Sequence, residues 1–254
     1  MSGTIPAGDR GQGRRVLLAA AVIGVAALAA YLRSFTVPML YDDVPTIVDN
    51  PTLRHWASAL AAPNATTAGG RPILNLSLAL NYRIGGVSVW GYHALNLAVH
   101  VAAGLALLGI VRRTLAPRVG EAALPIAFAA SLLWVVHPLQ TESVTYIVQR
   151  AESLMGLFYL LTLYGFIRAA EPDTRSRALW TSVCVGSCAL GMGTKEVMVT
   201  APLIVLLYDR TFVSWTFGEA LRSRRKLYAA LAATWVPLAF LVASSHGRGG
   251  TAGS

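Results

Sequence analysis

Ser88-Val89-Trp90-Gly91-Tyr92-His93-Ala94-Leu95-Asn96-Leu97-Ala98-Val99-His100-Val101-Ala102-Ala103-Gly104-Leu105-Ala106-Leu107-Leu108-Gly109-Ile110-Val111 runs for 24 residues without one aspartate, glutamate, lysine or arginine. At about 1.5 Å of rise per residue, a helix of this length crosses the ~30 Å hydrocarbon layer of a bilayer. Arg112 and Arg113 close it abruptly. Six more apolar runs occur at 16–34, 122–136, 152–169, 178–193, 195–209 and 227–244. Those at 122–136 and 195–209 are short, but Pro138-Leu139 after one and Gly193-Thr194 before the other can lengthen them. The pattern predicts an all-α polytopic membrane protein of about seven transmembrane helices, because only closed backbone hydrogen bonding survives in lipid.

Composition agrees. Of 254 residues, 55% are apolar and 13% charged, with a mean hydropathy of +0.55. A water-soluble globular enzyme of this size is excluded by that balance. The net charge of +9 does not point to nucleic acid, because the basic residues sit in short clusters between apolar runs, the pattern that orients membrane helices. Cys184 and Cys188 share one apolar run and read as small packing residues, with no spacing suited to zinc or a disulfide framework.

Lysine and arginine are retained on the cytoplasmic side. With the N-terminus inside, the inner segments hold 14 of the 21 basic residues, from Arg10, Arg14 and Arg15 to Arg222, Arg224, Arg225 and Lys226. The outer seven are Arg33, Arg54, Arg71, Arg83, Arg150, Lys195 and Arg248. The expected organisation is a cytoplasmic basic segment over 1–15 and a membrane module over 16–244. Its first outer loop covers about 35–87 and its second about 137–151, and a Gly-rich tail follows at 245–254, a candidate truncation point. A cleaved signal peptide fits Arg14-Arg15 and the alanine-rich run, but Tyr31-Leu32-Arg33-Ser34-Phe35 occupies the place of a small-residue cleavage site.

The twelve carboxylates divide evenly between the two sides, yet their settings differ. The inner ones, among them Glu171, Asp209 and Glu219, lie among arginines in polar loops and read as solvated charge pairs. The outer ones, Asp42, Asp43, Asp49, Glu142, Glu152 and Glu196, lie close to apolar span ends, where a carboxylate persists only if paired, metal-bound or wet. Tyr41-Asp42-Asp43-Val44-Pro45 is the strongest piece. Adjacent carboxylates repel, so one of them takes up a proton more readily and serves as a general base, or the pair holds a divalent cation. Asp before Pro is also ordinary turn chemistry.

Residues 71–82 form an amphipathic stretch, Asn75, Ser77 and Asn81 among leucines, that predicts a short helix along the membrane surface. His93, Asn96 and His100 share one helical face that must point into a bundle or a wet cavity, either as a ligand surface or as an interhelical hydrogen-bond ladder. His137, Glu142, Arg150 and Glu152 belong to a segment too polar to span and too apolar to be a free loop. Lys195-Glu196 stands at a fourth outer junction. A rim of carboxylates mixed with arginine, lysine and histidine suits recognition of a phosphate-linked lipid and activation of an acceptor hydroxyl.

In order, Tyr41-Asp42-Asp43, Arg71-Pro72, the stretch from Tyr92 to His100, His137-Pro138 with Thr141-Glu142-Ser143-Val144, Arg150-Ala151-Glu152-Ser153-Leu154 and Lys195-Glu196 resemble the membrane part of the transmembrane-and-tetratricopeptide-repeat proteins. That family is similar to the lipid-dependent protein O-mannosyltransferases within the GT-C glycosyltransferase superfamily. The resemblance, over about 14–212, implies a GT-C fold that moves a sugar, mannose in these relatives, from a polyprenyl-phosphate donor to a Ser/Thr hydroxyl of an acceptor protein. The transfer is implied on the non-cytoplasmic side of a bacterial inner membrane or the ER. It further implies Asp42 or Asp43 as general base, with Asp42 preferred. Arg71, His137, Arg150 and Lys195 are then donor-phosphate contacts, and His93, Asn96, Glu142, Glu152 and Glu196 supporting residues. A divalent cation, Mg or Mn, stays open, and nucleic acid is not a partner. Family members carry more spans and a downstream repeat domain, so the chain reads as a fragment or a shortened member. Two other classes compete: a non-catalytic membrane anchor or scaffold, in which the outer charges pair off, and a transporter, which the uncharged middles of the runs disfavour.

Overall fold

The computed structural model describes residues 7–172, 174 and 176–244. The tail over 245–254, part of the basic segment 1–15, Asp173 and Arg175 lie outside the described residues. Helices make up most of the fold, with no strand among the described residues. In order come α1 (Ala7–Tyr31), α2 (Pro72–Gly85), α3 (Val89–Val119), α4 (Ala123–Val136), α5 (Thr141–Thr145) and α6 (Arg150–Ala170). They are followed by α7 (Arg177–Met192), α8 (Ala201–Phe212), α9 (Phe217–Ser223), α10 (Arg225–Ala233) and α11 (Trp235–Ser244).

All seven apolar runs are largely helical, but they differ in length. Four stretches are long and apolar enough to cross a membrane, Gly11–Thr36, Val89–Val135, Ile147–Ala170 and Arg225–Ser244. A fifth arises if Glu196–Phe212 and Phe217–Ser223, bent by 110°, count as one. The second of the four is a hairpin: His100 donates to the Val135 carbonyl at 2.8 Å, and Gly104 also faces Val135, so α4 runs back along α3. α4 and α7, at 14 and 16 residues, span about 21 and 24 Å, less than the hydrocarbon thickness.

α6 lies parallel to α3 in one register from end to end. Arg150 meets Tyr92, Tyr164 meets Gly109, and Arg113 meets Glu171. α7 returns antiparallel, and Gly165 lets the two backbones touch. A Cβ at Gly165 would stand 2.7 Å from the Cys184 amide nitrogen and 3.0 Å from the Trp180 carbonyl oxygen. Small residues at such crossings are how membrane helices gain packing when lipid removes the hydrophobic drive. Both cysteines are buried as free thiols, Cys184 at this crossing and Cys188 against Thr234, as expected of packing residues. Outward, Leu17 and Val25 of α1 and Val236 and Phe240 of α11 are largely exposed, a surface that makes sense against acyl chains and not against water.

The loop over 35–87, with α2, folds into a cap over the ends of α3 and α6. Ile47, Leu53, Leu74, Leu78, Tyr92 and Ile147 are among its buried apolar core. Within it Asn50 donates to Asn75 Oδ1 at 3.0 Å, and Asn75 donates to Thr52 Oγ1 and the Ala59 carbonyl. Residues 72–85 are helical, as α2, but Asn75 and Asn81 are buried toward the cap while Leu80 and Ile84 are exposed. Its polar side is therefore internal, because the loop offers those amides partners and the outside does not. Ile73 donates to the Gly193 carbonyl at 3.1 Å, tying the cap to the α7–α8 junction.

Candidate active site

The two adjacent aspartates have opposite fates. Asp43 is 1% exposed. Its Oδ1 accepts from the Val148 backbone N–H at 2.9 Å and its Oδ2 from the Leu40 N–H at 3.0 Å. Burial pushes its carboxyl above the ordinary aspartate range, and the two amide donors and His93 pull partly against that shift. Asp42 is exposed, and its carboxylate accepts no hydrogen bond among the described residues. Its backbone N–H donates to the Tyr146 hydroxyl at 3.0 Å, a hydroxyl that burial holds in its protonated form by raising its pKa. Tyr41, just before the pair, has φ of +41°, left-handed backbone that costs a non-glycine residue about 1 kcal/mol. The strained turn sends Asp43 inward and leaves Asp42 facing out.

The polar face of α3 is an interhelical ladder. His93 donates from Nε2 to the Val37 carbonyl at 3.0 Å, Asn96 to the Val144 and Ile147 carbonyls at 3.3 Å each, and His100 to Val135. Arg150 is fully buried. Its guanidinium donates to Asn96 Oδ1 at 2.6 Å, the Ser77 carbonyl at 3.1 Å and the Tyr92 carbonyl at 3.0 Å. Through these bonds Arg150 is a strut joining α2, α3 and α6. Arg71 is also buried, donating to the Thr67 carbonyl at 2.9 Å and pairing with Glu196 at 3.5 Å.

A second group stays at the surface. His137 is exposed, its Nδ1 accepting from the Leu139 N–H at 3.2 Å. Glu142 is exposed and accepts from Gln149 at 3.0 Å. Lys195 forms an ion pair with Glu152. Beside them opens a cavity of about 370 Å³ lined by His100, Trp134, Gln140, Glu142, Gln149 and Glu152 among others. The expected convergence of Asp42, His137, Arg150 and Lys195 on one pocket is thus divided. Glu142 and Glu152 line the cavity, Lys195 reaches it through Glu152, and Asp42 is tied by Tyr146 to the segment that walls it. Asp43, Arg71, His93, Asn96 and Arg150 are buried and do not line the cavity.

Tyr41, Tyr146 and Trp134 were not singled out from the sequence for chemistry. The available signals were a tyrosine directly before an acidic pair, another inside a segment too polar to span, and a tryptophan at the outer end of a short span. Asp209, expected among solvated charge pairs, is instead fully buried, bonded to Arg224 at 3.0 Å, Tyr228 at 2.6 Å and Ser214 at 2.8 Å. The donor set does not fit a divalent ion. Among the described residues no three His, Cys, Asp or Glu side chains are grouped to hold one, and Asp43 spends both oxygens on backbone amides.

An exposed aspartate tied through Tyr146 to the segment that walls a cavity, with a lysine–glutamate pair at that cavity's edge, is the setting in which to weigh the relatives. Over 226 residues the chain is 31% identical to human protein O-mannosyl-transferase TMTC1, covering 80% of this chain and 25% of that protein. It is 30% identical over 209 residues to mouse protein O-mannosyl-transferase TMTC2, 76% of this chain and 24% of the relative. Human protein O-mannosyl-transferase TMTC3 is 26% identical over 247 residues, 88% and 26% of the two chains. The chain is TMTC-like. It spans about a quarter of the length of the curated TMTC relatives it matches. No family model matches, and no solved structure does.

Proposed function

We propose that this TMTC-like chain forms the catalytic face of a membrane glycosyltransferase, moving mannose from a polyprenyl-phosphate donor to a Ser/Thr hydroxyl of an acceptor protein. The seven apolar runs all cross the membrane, the short α4 and α7 included. The N-terminus is cytoplasmic, the cap and cavity are on the non-cytoplasmic side, and α2 rests its exposed Leu80 and Ile84 on the membrane surface.

The observation that carries this reading is the split of the acidic pair. Asp43 anchors the first outer loop to the second, and the strained turn at Tyr41 leaves the Asp42 carboxylate outward. Asp42 takes the proton of the acceptor hydroxyl as its oxygen attacks the anomeric carbon. The bond from that carbon to the donor phosphate breaks, and polyprenyl phosphate leaves with its electron pair, inverting the anomeric centre. Lys195, whose ion-pair partner Glu152 lines the cavity, meets the phosphate charge as it develops, and the exposed His137 adds a hydrogen bond from its free ring nitrogen. Arg71, Asn96, His93 and Arg150 hold the wall in place, and Glu152 orients Lys195. The names of the relatives support the same reaction class.

The scaffold reading draws on the two closed ion pairs, Arg71–Glu196 and Lys195–Glu152. It leaves the outward Asp42 and the cavity without a role. In reconstituted membranes supplied with a polyprenyl-phosphate mannose, Asp42→Asn is expected to abolish transfer while leaving protein level and melting behaviour unchanged. Undiminished transfer by that variant would end the proposal.

A further inference from the structure

At the other end of α6, about 20 Å along the helix axis from the cavity beside Glu152, lies a second cavity of about 590 Å³ with the opposite electrical character. Arg177, Arg222, Arg225 and Lys226 line it, and among the described residues no carboxylate does. None of these four cations forms an ion pair among the described residues. Arg224 also borders the space, but its charge is taken by Asp209, which is fully buried and withdrawn from the cavity. The floor is apolar, formed by Phe166, Ala169 and Leu227.

Charge retention on the cytoplasmic side accounts for basic residues in these loops, but not for this shape. Residues some 45 positions apart bring four cations around one concavity, and they repel one another there unless an anion sits between them. Two helices also begin at its edge, α7 at Arg177 and α10 at Arg225, and neither has a side-chain cap. Their first-turn N–H groups add partial positive charge and open donors to the same space. A polar, cation-ringed mouth over an apolar floor matches a phosphate attached to acyl chains, and the cytoplasmic leaflet is where anionic lipids concentrate.

We propose that this cavity binds the phosphate headgroup of an anionic phospholipid from the cytoplasmic leaflet, its chains lying over Phe166 and Leu227. The site is independent of the sugar-transfer reading, and either can fail alone. The test compares the protein in phosphatidylcholine nanodiscs with and without phosphatidylglycerol, by native mass spectrometry of retained lipid and by thermal unfolding. A phosphatidylglycerol adduct and a raised melting temperature are expected, with affinity falling on the order of fivefold for each cation removed in Arg222→Gln, Arg225→Gln and Lys226→Gln. Arg222→Lys, which keeps the charge, is expected to retain most of the binding and guards against a variant that merely misfolds. Arg210→Gln removes an inner arginine that does not line the cavity and is expected to leave binding unchanged. Equal loss with Arg210→Gln, no preference for phosphatidylglycerol, or full replacement of the lipid effect by inorganic phosphate in phosphatidylcholine discs would overturn the proposal.

Discussion

Asp43 and Val148 are 105 residues apart in the chain and 2.9 Å apart in the structure, carboxylate oxygen to backbone nitrogen. This bond joins the loop over 35–87 to the one over 137–151, its companion to the Leu40 amide closes the turn, and together they separate the duties of the acidic pair. Asp43→Ala is expected to orphan both donors and cost about 2 kcal/mol, read as a lowered unfolding midpoint in detergent. Asp42→Asn, at an exposed position, is expected to change stability by less than about 0.5 kcal/mol and to act on transfer instead. If Asp42→Asn destabilised as much as Asp43→Ala, the division of roles would be wrong.

Burial raises the Asp43 carboxyl above the ordinary aspartate range. The folded protein therefore holds a proton on Asp43 at a pH where the unfolded chain has released it. Stability from this group falls as pH climbs from roughly 4, the ordinary aspartate value, through the raised folded value, and above that the whole penalty is in force. Asp43→Asn, which does not titrate, is expected to flatten that part of the curve of melting temperature against pH. An unchanged slope in the variant would assign the dependence to another group.

Arg150 and Asn96 are coupled at 2.6 Å inside the bundle, with the Tyr92 and Ser77 carbonyls on the remaining guanidinium donors. A lysine ammonium cannot span three acceptors on two other helices, so Arg150→Lys is expected to cost about 3 kcal/mol despite keeping the charge. In a double-mutant cycle with Asn96→Leu, a coupling of about 1 kcal/mol or more is expected. Additive effects would show that the pair is adjacent without being a unit.

Two glycines of α6 separate close approach from flexibility. At Gly165 an added methyl meets the α7 backbone, whereas at Gly156 nothing lies within 4 Å. Gly165→Ala is expected to force α6 and α7 apart and cost about 2 kcal/mol, while Gly156→Ala is expected to be neutral or to stabilise by up to about 1 kcal/mol. Thermal unfolding of the two variants side by side decides it.

The membrane character, the helical runs and the polar face of α3 were legible because period and polarity are local properties. Which aspartate turns inward was not, since that depends on an amide at Val148 and on a strained φ at Tyr41. Arg150 reads as a surface cation from its neighbours, yet its position is set by Asn96, Ser77 and Tyr92 on two other helices. Asp209 reads as solvated for the same reason: Arg224 and Tyr228, which bury it, arrive only after α9 reverses the chain. Cross-element partners, not residue types, decided each of these outcomes.

Lys195 and Glu152 offer a way to part transfer from scaffolding. Their ion pair is partly exposed, with side chains 21% and 36% accessible, so breaking it is expected to cost no more than about 1 kcal/mol. Lys195→Gln removes the cation proposed to meet the donor phosphate and is expected to lower transfer at least tenfold, a loss of about 1.4 kcal/mol in transition-state stabilisation. The exchange Lys195→Glu with Glu152→Lys restores a pair of opposite charges across the same gap, and with it the stability. It also moves the cation onto α6 at the cavity wall, away from its place at the α7–α8 junction. If the pair serves only to join α6 to that junction, the exchanged protein should transfer sugar as well as the original. If Lys195 meets the phosphate, stability should return while transfer stays low, and measuring melting temperature and transfer on the same membranes distinguishes the two.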